Sequence, residues 1–247
     1  MLLNYLRADL KKTRHLPVCI ACAAVPVACA AVFLLYYAYA PWESAMKIEA
    51  YYQVLGMCLP FLNGILSATL AGQELSAGAF QNMLSAARRA PAFFSKLLVF
   101  VSFSAGAVLL ASTLFGAGFY FLQGERVVGG VFYAAAALML AGGNLCSCFF
   151  HFMLAFSMNK GVTVGVGLVE SLLAALLVTG MGDGLWPFVP AAWATRSVAL
   201  LLQKFRFCAI MGREWDMALS VCAVATLGSL LAFYLWACFW DGTRGSE

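Results

Sequence analysis

Long uncharged apolar runs alternate with short polar breaks along this chain, and six of those runs reach the length that a bilayer asks of a helix. They lie within Leu16 to Trp42, Ala50 to Gln73, Leu97 to Gly124, Val127 to Asn159, Gly161 to Gly182 and Met217 to Trp240. A hydrocarbon core of about 30 Å takes about 20 apolar residues as helix, so the pattern predicts spans at about 16–40, 51–71, 97–122, 130–156, 161–182 and 217–239. One polar break keeps a helical pattern of its own. In Gly72 to Lys96, residues Ala77, Phe80, Met83, Leu84 and Ala87 recur at spacings of three and four, while Ser76, Gln81, Asn82, Ser85, Arg88 and Arg89 fall elsewhere. This predicts an amphipathic helix over about 73–90. Glu74 near its start and Arg88 and Arg89 near its end suit the helix dipole, and Pro91 is expected to stop it.

Composition agrees with the runs: 64% of the residues are hydrophobic, 11% are charged, and mean hydropathy is +0.89. The fold class expected is an all-α polytopic membrane protein, a single transmembrane domain over 1–247, with six transmembrane helices and the amphipathic segment between the second and third. The first run is too long for a signal-peptide core. It ends in Tyr36, Tyr37, Tyr39, Pro41 and Trp42 rather than in a small-residue cleavage site. Arg7, Lys11, Lys12 and Arg14 precede that run and only Lys47 follows it, which predicts both termini in the cytoplasm of a multi-pass protein.

Several chemistries find no pattern here. Of nine cysteines, all but Cys208 fall in predicted spans, and Cys19-x-x-Cys22 lacks a second ligand pair, so the thiols read as small hydrophobes rather than as a metal site. His15 and His151 are the only histidines, and neither stands in a zinc-hydrolase motif. No Gly-x-Ser-x-Gly and no phosphate-binding loop occurs, so no catalytic residue, metal or cofactor is assigned to the chain.

Within the spans, Pro26 of the first and Gly56, Pro60, Asn63 and Gly64 of the second predict kinks. Ser102 to Gly106, Ser112 to Gly116, Gly143 to Ser147 and Gly161 to Gly165 have the small-xxx-small spacing of close helix contacts, within one chain or across a dimer. The segment at about 186–207 carries Trp186, Pro187, Pro190 and Trp193. Ala194, Val198, Leu201, Leu202 and Phe205 then share one helical face, as in a helix resting on the outer leaflet. Glu170 is the single charge inside the fifth span, where an unpaired charge costs about 3 kcal/mol. It is expected to face the bundle interior, either protonated or bonded to polar groups on the preceding helix such as Asn144 or His151, as a structural contact or as part of a translocation path.

Gly72-Gln73-Glu74, then Gly78-Ala79-Phe80-Gln81-Asn82-Met83-Leu84, then Arg88-Arg89 and Phe94-Ser95-Lys96, together resemble the loop after the second span of type-2 ABC exporter permeases, and within them the lantibiotic-immunity permeases of the MutG-like group. The resemblance implies a permease subunit of the bacterial cytoplasmic membrane. It would pair with a second permease and with a separate ABC ATPase, which holds the ATP and magnesium, and would move hydrophobic, cationic, amphipathic antimicrobial peptides out of the bilayer. No nucleic-acid partner is implied. Glu74, Gly78, Phe80, Met83, Leu84 and Arg88 would then couple to the ATPase, with Phe80 as the anchor in its groove and Glu74 at a solvated rim. The alternative is a non-transporting membrane interaction or sensor subunit that docks a cytoplasmic partner through residues 72–96.

Overall fold

The computed structural model describes residues 2–13, 17–86, 89–123, 127–207 and 212–244. Arg14, His15, Ala87, Arg88, Glu125 and Cys208 lie outside them. Among the described residues every regular element is a helix. The helices are α1 (Leu2–Thr13), α2 (Pro17–Tyr39), α3 (Ser44–Ser76), α4 (Gln81–Leu84), α5 (Arg89–Gln123), α6 (Gly130–Gly143), α7 (Leu145–Ser157), α8 (Lys160–Val178), α9 (Pro190–Phe207) and α10 (Arg213–Phe239). Among the described residues α2, α3, α5, α8 and α10 are each long and apolar enough to cross a bilayer. The pair α6 and α7, bent by 41° at their junction, makes a sixth span if counted as one.

That bend has a local cause. Gly142 and Gly143 precede Asn144 and supply no side chain to stiffen the turn, and Gly143 lies so close to α9 that an added Cβ would stand 3.0 Å from the Ala194 nitrogen. The helix therefore turns where α9 crosses it. In α3, Pro60 withdraws a backbone donor, and the neighbouring Phe61 N–H donates to Ser171 Oγ of α8 at 3.1 Å. α3 is continuous through Pro60 over 33 residues, about 50 Å at a rise of about 1.5 Å per residue, and so reaches past the hydrocarbon core.

α3 is the axis of the bundle. Gly64 and Gly167 let α8 approach it closely: a Cβ at Gly64 would stand 2.9 Å from the Thr163 carbonyl oxygen, and one at Gly167 would stand 2.7 Å from that of Pro60. Gly56 meets Thr195 of α9 in the same way. Ser112 and Gly116 pack on Tyr133 within the chain, whereas Gly165 faces open space.

α9 differs from the surface helix that its pattern predicts. Ala194, Val198, Leu201 and Leu202 do share a face, but they are buried against α3 and α6 as part of the protein core, and Phe205 alone of the set is exposed. Trp186 and Trp193 are buried too, their indole N–H groups donating to Glu214 Oε2 (3.3 Å) and to the Pro187 carbonyl (2.9 Å). Arg196 of α9 caps α8, donating to the Leu177 and Thr179 carbonyls at 2.8 and 2.6 Å and pairing with Asp183. An amphipathic face reads alike whether lipid or protein covers it, which is why the pattern left the cover undetermined.

Gly167→Ala should lower the unfolding free energy in detergent by about 1–3 kcal/mol through overpacking against Pro60. Gly165→Ala, two residues away and facing open space, should stay within about 0.5 kcal/mol of the parent in the same thermal or denaturant melt.

Candidate functional site

Two polar assemblies stand out in this apolar bundle: a charged knot at the end that carries the α3 to α5 connection, and a hydrogen-bonded chain deep among the spans. At the connection, α3 does not continue into the predicted helix over 73–90. It ends at Ser76, and the chain reverses through Gly78 (φ 130°), Ala79 (φ 48°) and Phe80 (φ 64°). The Ala79 N–H donates to the Leu75 carbonyl at 2.8 Å and the Phe80 N–H to that of Glu74 at 3.3 Å, so the turn satisfies two of the last carbonyls of α3. A four-residue helix, α4, follows. Pro91 does not stop a helix; it lies in the first turn of α5, where a missing N–H costs nothing. Periodicity saw the apolar positions correctly but could not see that Gly78 breaks the register between them.

Of the apolar positions, Phe80, Met83 and Leu84 face inward, whereas Ala77 is exposed. Phe80 is only 2% exposed, with ring centroids 5.5 Å from Phe156 and 5.2 Å from Trp240. The Arg244 guanidinium lies 5.3 Å from its ring centre. Met83 is buried in the same cluster, Leu84 packs at its edge, and Arg89 ties the turn down by donating to the Leu84 and Trp240 carbonyls. The side chain expected to fill a partner's groove thus fills this chain's own. What the turn exposes is Ser76, Ala77, Gly78, Ala79, Gln81, Asn82 and Ser85.

Glu74 is not at a solvated rim. It is buried in the last turns of α3, where Oε1 accepts from Lys96 Nζ at 2.5 Å and from Lys12 Nζ at 3.3 Å. Lys96, 1% exposed, also pairs with Asp9 Oδ1 of α1 at 3.4 Å, and Ser95 Oγ donates to Asp9 Oδ2 at 2.5 Å. Two cations meet two anions, so the knot is neutral, and it fastens three elements at one place: α1, the end of α3 and the start of α5. The sequence reading missed it because its members lie at positions 9, 12, 74 and 96 with no spacing that announces contact.

The second assembly centres on the α6 to α7 bend. Asn63 Nδ2 donates to Asn144 Oδ1 at 2.8 Å, Asn144 Nδ2 donates to Ser104 Oγ at 3.2 Å, and Ser104 Oγ donates to Asn63 Oδ1 at 3.2 Å. Three spans, α3, α5 and the bent pair, are thereby stitched together. Asn63 reaches on to Ser147 Oγ at 3.5 Å, Ser147 Oγ donates to Glu170 Oε2 at 3.3 Å, and His151 Nε2 lies 3.1 Å from the same oxygen. Glu170 therefore meets His151, as one of the two expected partners, and Ser147, which the pattern did not single out; Asn144 instead bonds the far end of the chain.

Beside that far end lies a cavity of about 220 Å³ between α2, α3 and α5. Asn63 and Ser104 stand among its lining, which otherwise includes Cys22, Pro26, Cys58 and Leu62. Val25, Cys58 and Ile65 on its rim are exposed, so it opens sideways between the spans. Such a cleft suits an apolar group arriving from the bilayer.

No protein family, curated protein or solved structure matches the chain.

Lys96→Met should destabilise the protein by about 3–5 kcal/mol, because it takes the buried Asp9 carboxylate's ion-pair partner away and leaves Glu74 with Lys12 alone. Lys12→Met removes a pair whose amino end is solvated and should cost no more than about 1 kcal/mol. Melting temperatures of the two purified variants compare them directly.

Proposed function

We propose that the chain is the permease subunit of an ABC exporter that moves hydrophobic, cationic peptides of the lantibiotic type out of a bacterial membrane, powered by a separate ATPase. The observation that carries this reading is the build of the connection between α3 and α5. Its tip is exposed and made of small and polar residues, while its root is fixed to both long helices by the Glu74–Lys96 pair and to the bundle by Phe80. A push on such a tip is delivered to two spans at once instead of being absorbed by a flexible loop. In this reading the partner touches Ser76, Ala77, Gly78, Ala79, Gln81 and Asn82, and Phe80, Met83 and Leu84 serve as the inner bearing rather than as the anchor. Glu74 belongs to the root.

The lateral cleft suits the same function, since a peptide drawn from the bilayer presents apolar side chains first. The chain from Asn63 through Ser147 to Glu170 offers acceptors to a cationic group that moves deeper, with Asn144 and His151 beside it. A second permease copy or partner would complete the path, as the resemblance implies.

Purification from its own membrane in mild detergent should recover the protein with an ATPase whose hydrolysis rises on adding a lantibiotic. Exchanging Gln81 and Asn82 together for glutamate should weaken that association at least tenfold at an unchanged melting temperature. Phe80→Asp, in contrast, buries a charge among Phe156 and Trp240 and should reduce the amount of folded protein. An ATPase complex indifferent to the Gln81 and Asn82 exchange would overturn the docking assignment. Association without any peptide export would leave the non-transporting reading.

A further inference from the structure

The cleft between α2, α3 and α5 is a slot with apolar walls. Val25 and Pro26 of α2, Leu55 and Leu59 of α3 and Val108 of α5 stand along it. Thiols aside, Asn63 and Ser104 are the polar side chains of its lining, and the bonds of both are spent behind the wall. Asn63 Nδ2 donates to Asn144 Oδ1, its Oδ1 accepts from Ser104 Oγ, and Ser104 Oγ accepts in turn from Asn144 Nδ2. The thiols of Cys22, Cys29 and Cys58 pack as small hydrophobes. The walls therefore offer little to a polar ligand, and an apolar cavity of about 220 Å³ excludes water rather than ordering it.

Its length selects the occupant. On α2 the lining runs from Ala21 to Cys29, about 12 Å at a rise of about 1.5 Å per residue, and on α3 it runs from Val54 to Leu66, about 18 Å. A lipid tail crosses half of a hydrocarbon core of about 30 Å, which is about 15 Å. The slot thus has the length of one acyl chain and exceeds the reach of a single peptide side chain. Val25, Cys58 and Ile65 at its mouth are exposed on spans, so whatever enters comes from the bilayer. Because α2 packs chiefly on α5 and touches α3 little, an occupant of the slot gives α2 a surface that α3 does not.

We infer that the cleft is a binding site for one acyl chain of a membrane phospholipid, seated lengthwise between α2 and α3. The tail takes the dispersion contacts that these two helices do not make with each other and holds α2 away from α3. Recognition is by length and apolarity, since the lining gives a headgroup nothing to bind. A peptide handled as proposed above would have to displace this tail, but the lipid site itself does not rest on the exporter reading.

The full-length protein in dioleoylphosphatidylcholine nanodiscs, doped with a phosphatidylcholine that carries a diazirine halfway along one acyl chain, tests it. After irradiation with no peptide present, label should appear on Leu55 and Leu59, which are buried from lipid around the bundle, as well as on the outward-facing Leu172 of α8 and Leu227 of α10. Ala107→Phe, which fills the slot from its α5 wall, should lower labelling of Leu55 and Leu59 about tenfold and leave that of Leu172 unchanged. Cys58→Trp obstructs the exposed mouth and makes the same comparison if Ala107→Phe does not fold. Label confined to the outward-facing residues, which would leave the cleft to an apolar side chain of a peptide, would overturn the proposal, as would label on Leu55 and Leu59 that persists in the variants. Association with an ATPase does not enter this measurement, so the lipid site and the docking assignment fail separately.

Discussion

Lys96 is the residue on which the connector end of the molecule depends. It has almost no access to solvent, and its ammonium group is tolerable there only because Asp9 and Glu74 stand on either side of it. Each of those carboxylates comes from a different helix, so solving the electrostatic problem of one cation also fixes the position of α1, the end of α3 and the start of α5. Ser95 donates to the second Asp9 oxygen, and Lys12 adds a second donor to the Glu74 oxygen that Lys96 meets. The apolar cluster of Phe80, Phe93, Phe156, Trp236 and Trp240 lies at the same end and fills the space that the knot leaves. Hydrophobic area alone would not select a register between these helices in lipid, where apolar contact carries little driving force; the ion pairs and the close ring contacts do.

The same division of labour holds deeper in the bundle. Asn63, Ser104 and Asn144 bond one another across three spans, and these are groups whose partners cannot be replaced by water at that depth. The bend at Asn144 is compatible with this network because the backbone on either side keeps its helical bonds, Asn144 N–H to the Leu140 carbonyl and Cys148 N–H to the Asn144 carbonyl. A side chain at Gly143 would crowd the backbone of Ala194 of α9. Steric relief on one side of the helix and polar attachment on the other thus coincide at a single residue.

What could be read in the sequence was whatever depends on one helix at a time. Run length gave the spans, and the lone carboxylate at Glu170 pointed inward toward His151 because charge in a membrane has few alternatives. What could not be read depends on which elements meet. The face of α9 was visible and its cover was not. Phe80 was recognised as an aromatic on an apolar face, yet the groove it fills is made by Phe156 and Trp240, far along the chain. The tail before the first span looked like an orientation signal, and its Asp9 gave no hint of the buried Lys96 it serves. A helix over Leu2–Thr13 was also missed, since twelve residues are marginal on their own and hold their shape here through contacts with α5.

The arrangement of rigid and open parts follows from these attachments. α3 is buried over most of its apolar length, whereas α2 and α10 present most of theirs to the surroundings. α2 packs chiefly on α5 and touches α3 little, which is what leaves the lateral cleft beside Asn63 and Ser104. Closing that cleft requires α2 to move against α3 without disturbing the network behind it, because Asn63 and Ser104 have their bonds on the far side, toward Asn144. Opening it further would draw on α5, and α5 is fixed at its start by Lys96. The knot and the cleft thus share one helix: Lys96 at the start of α5 belongs to the knot, and Ser104 farther along it lines the cleft.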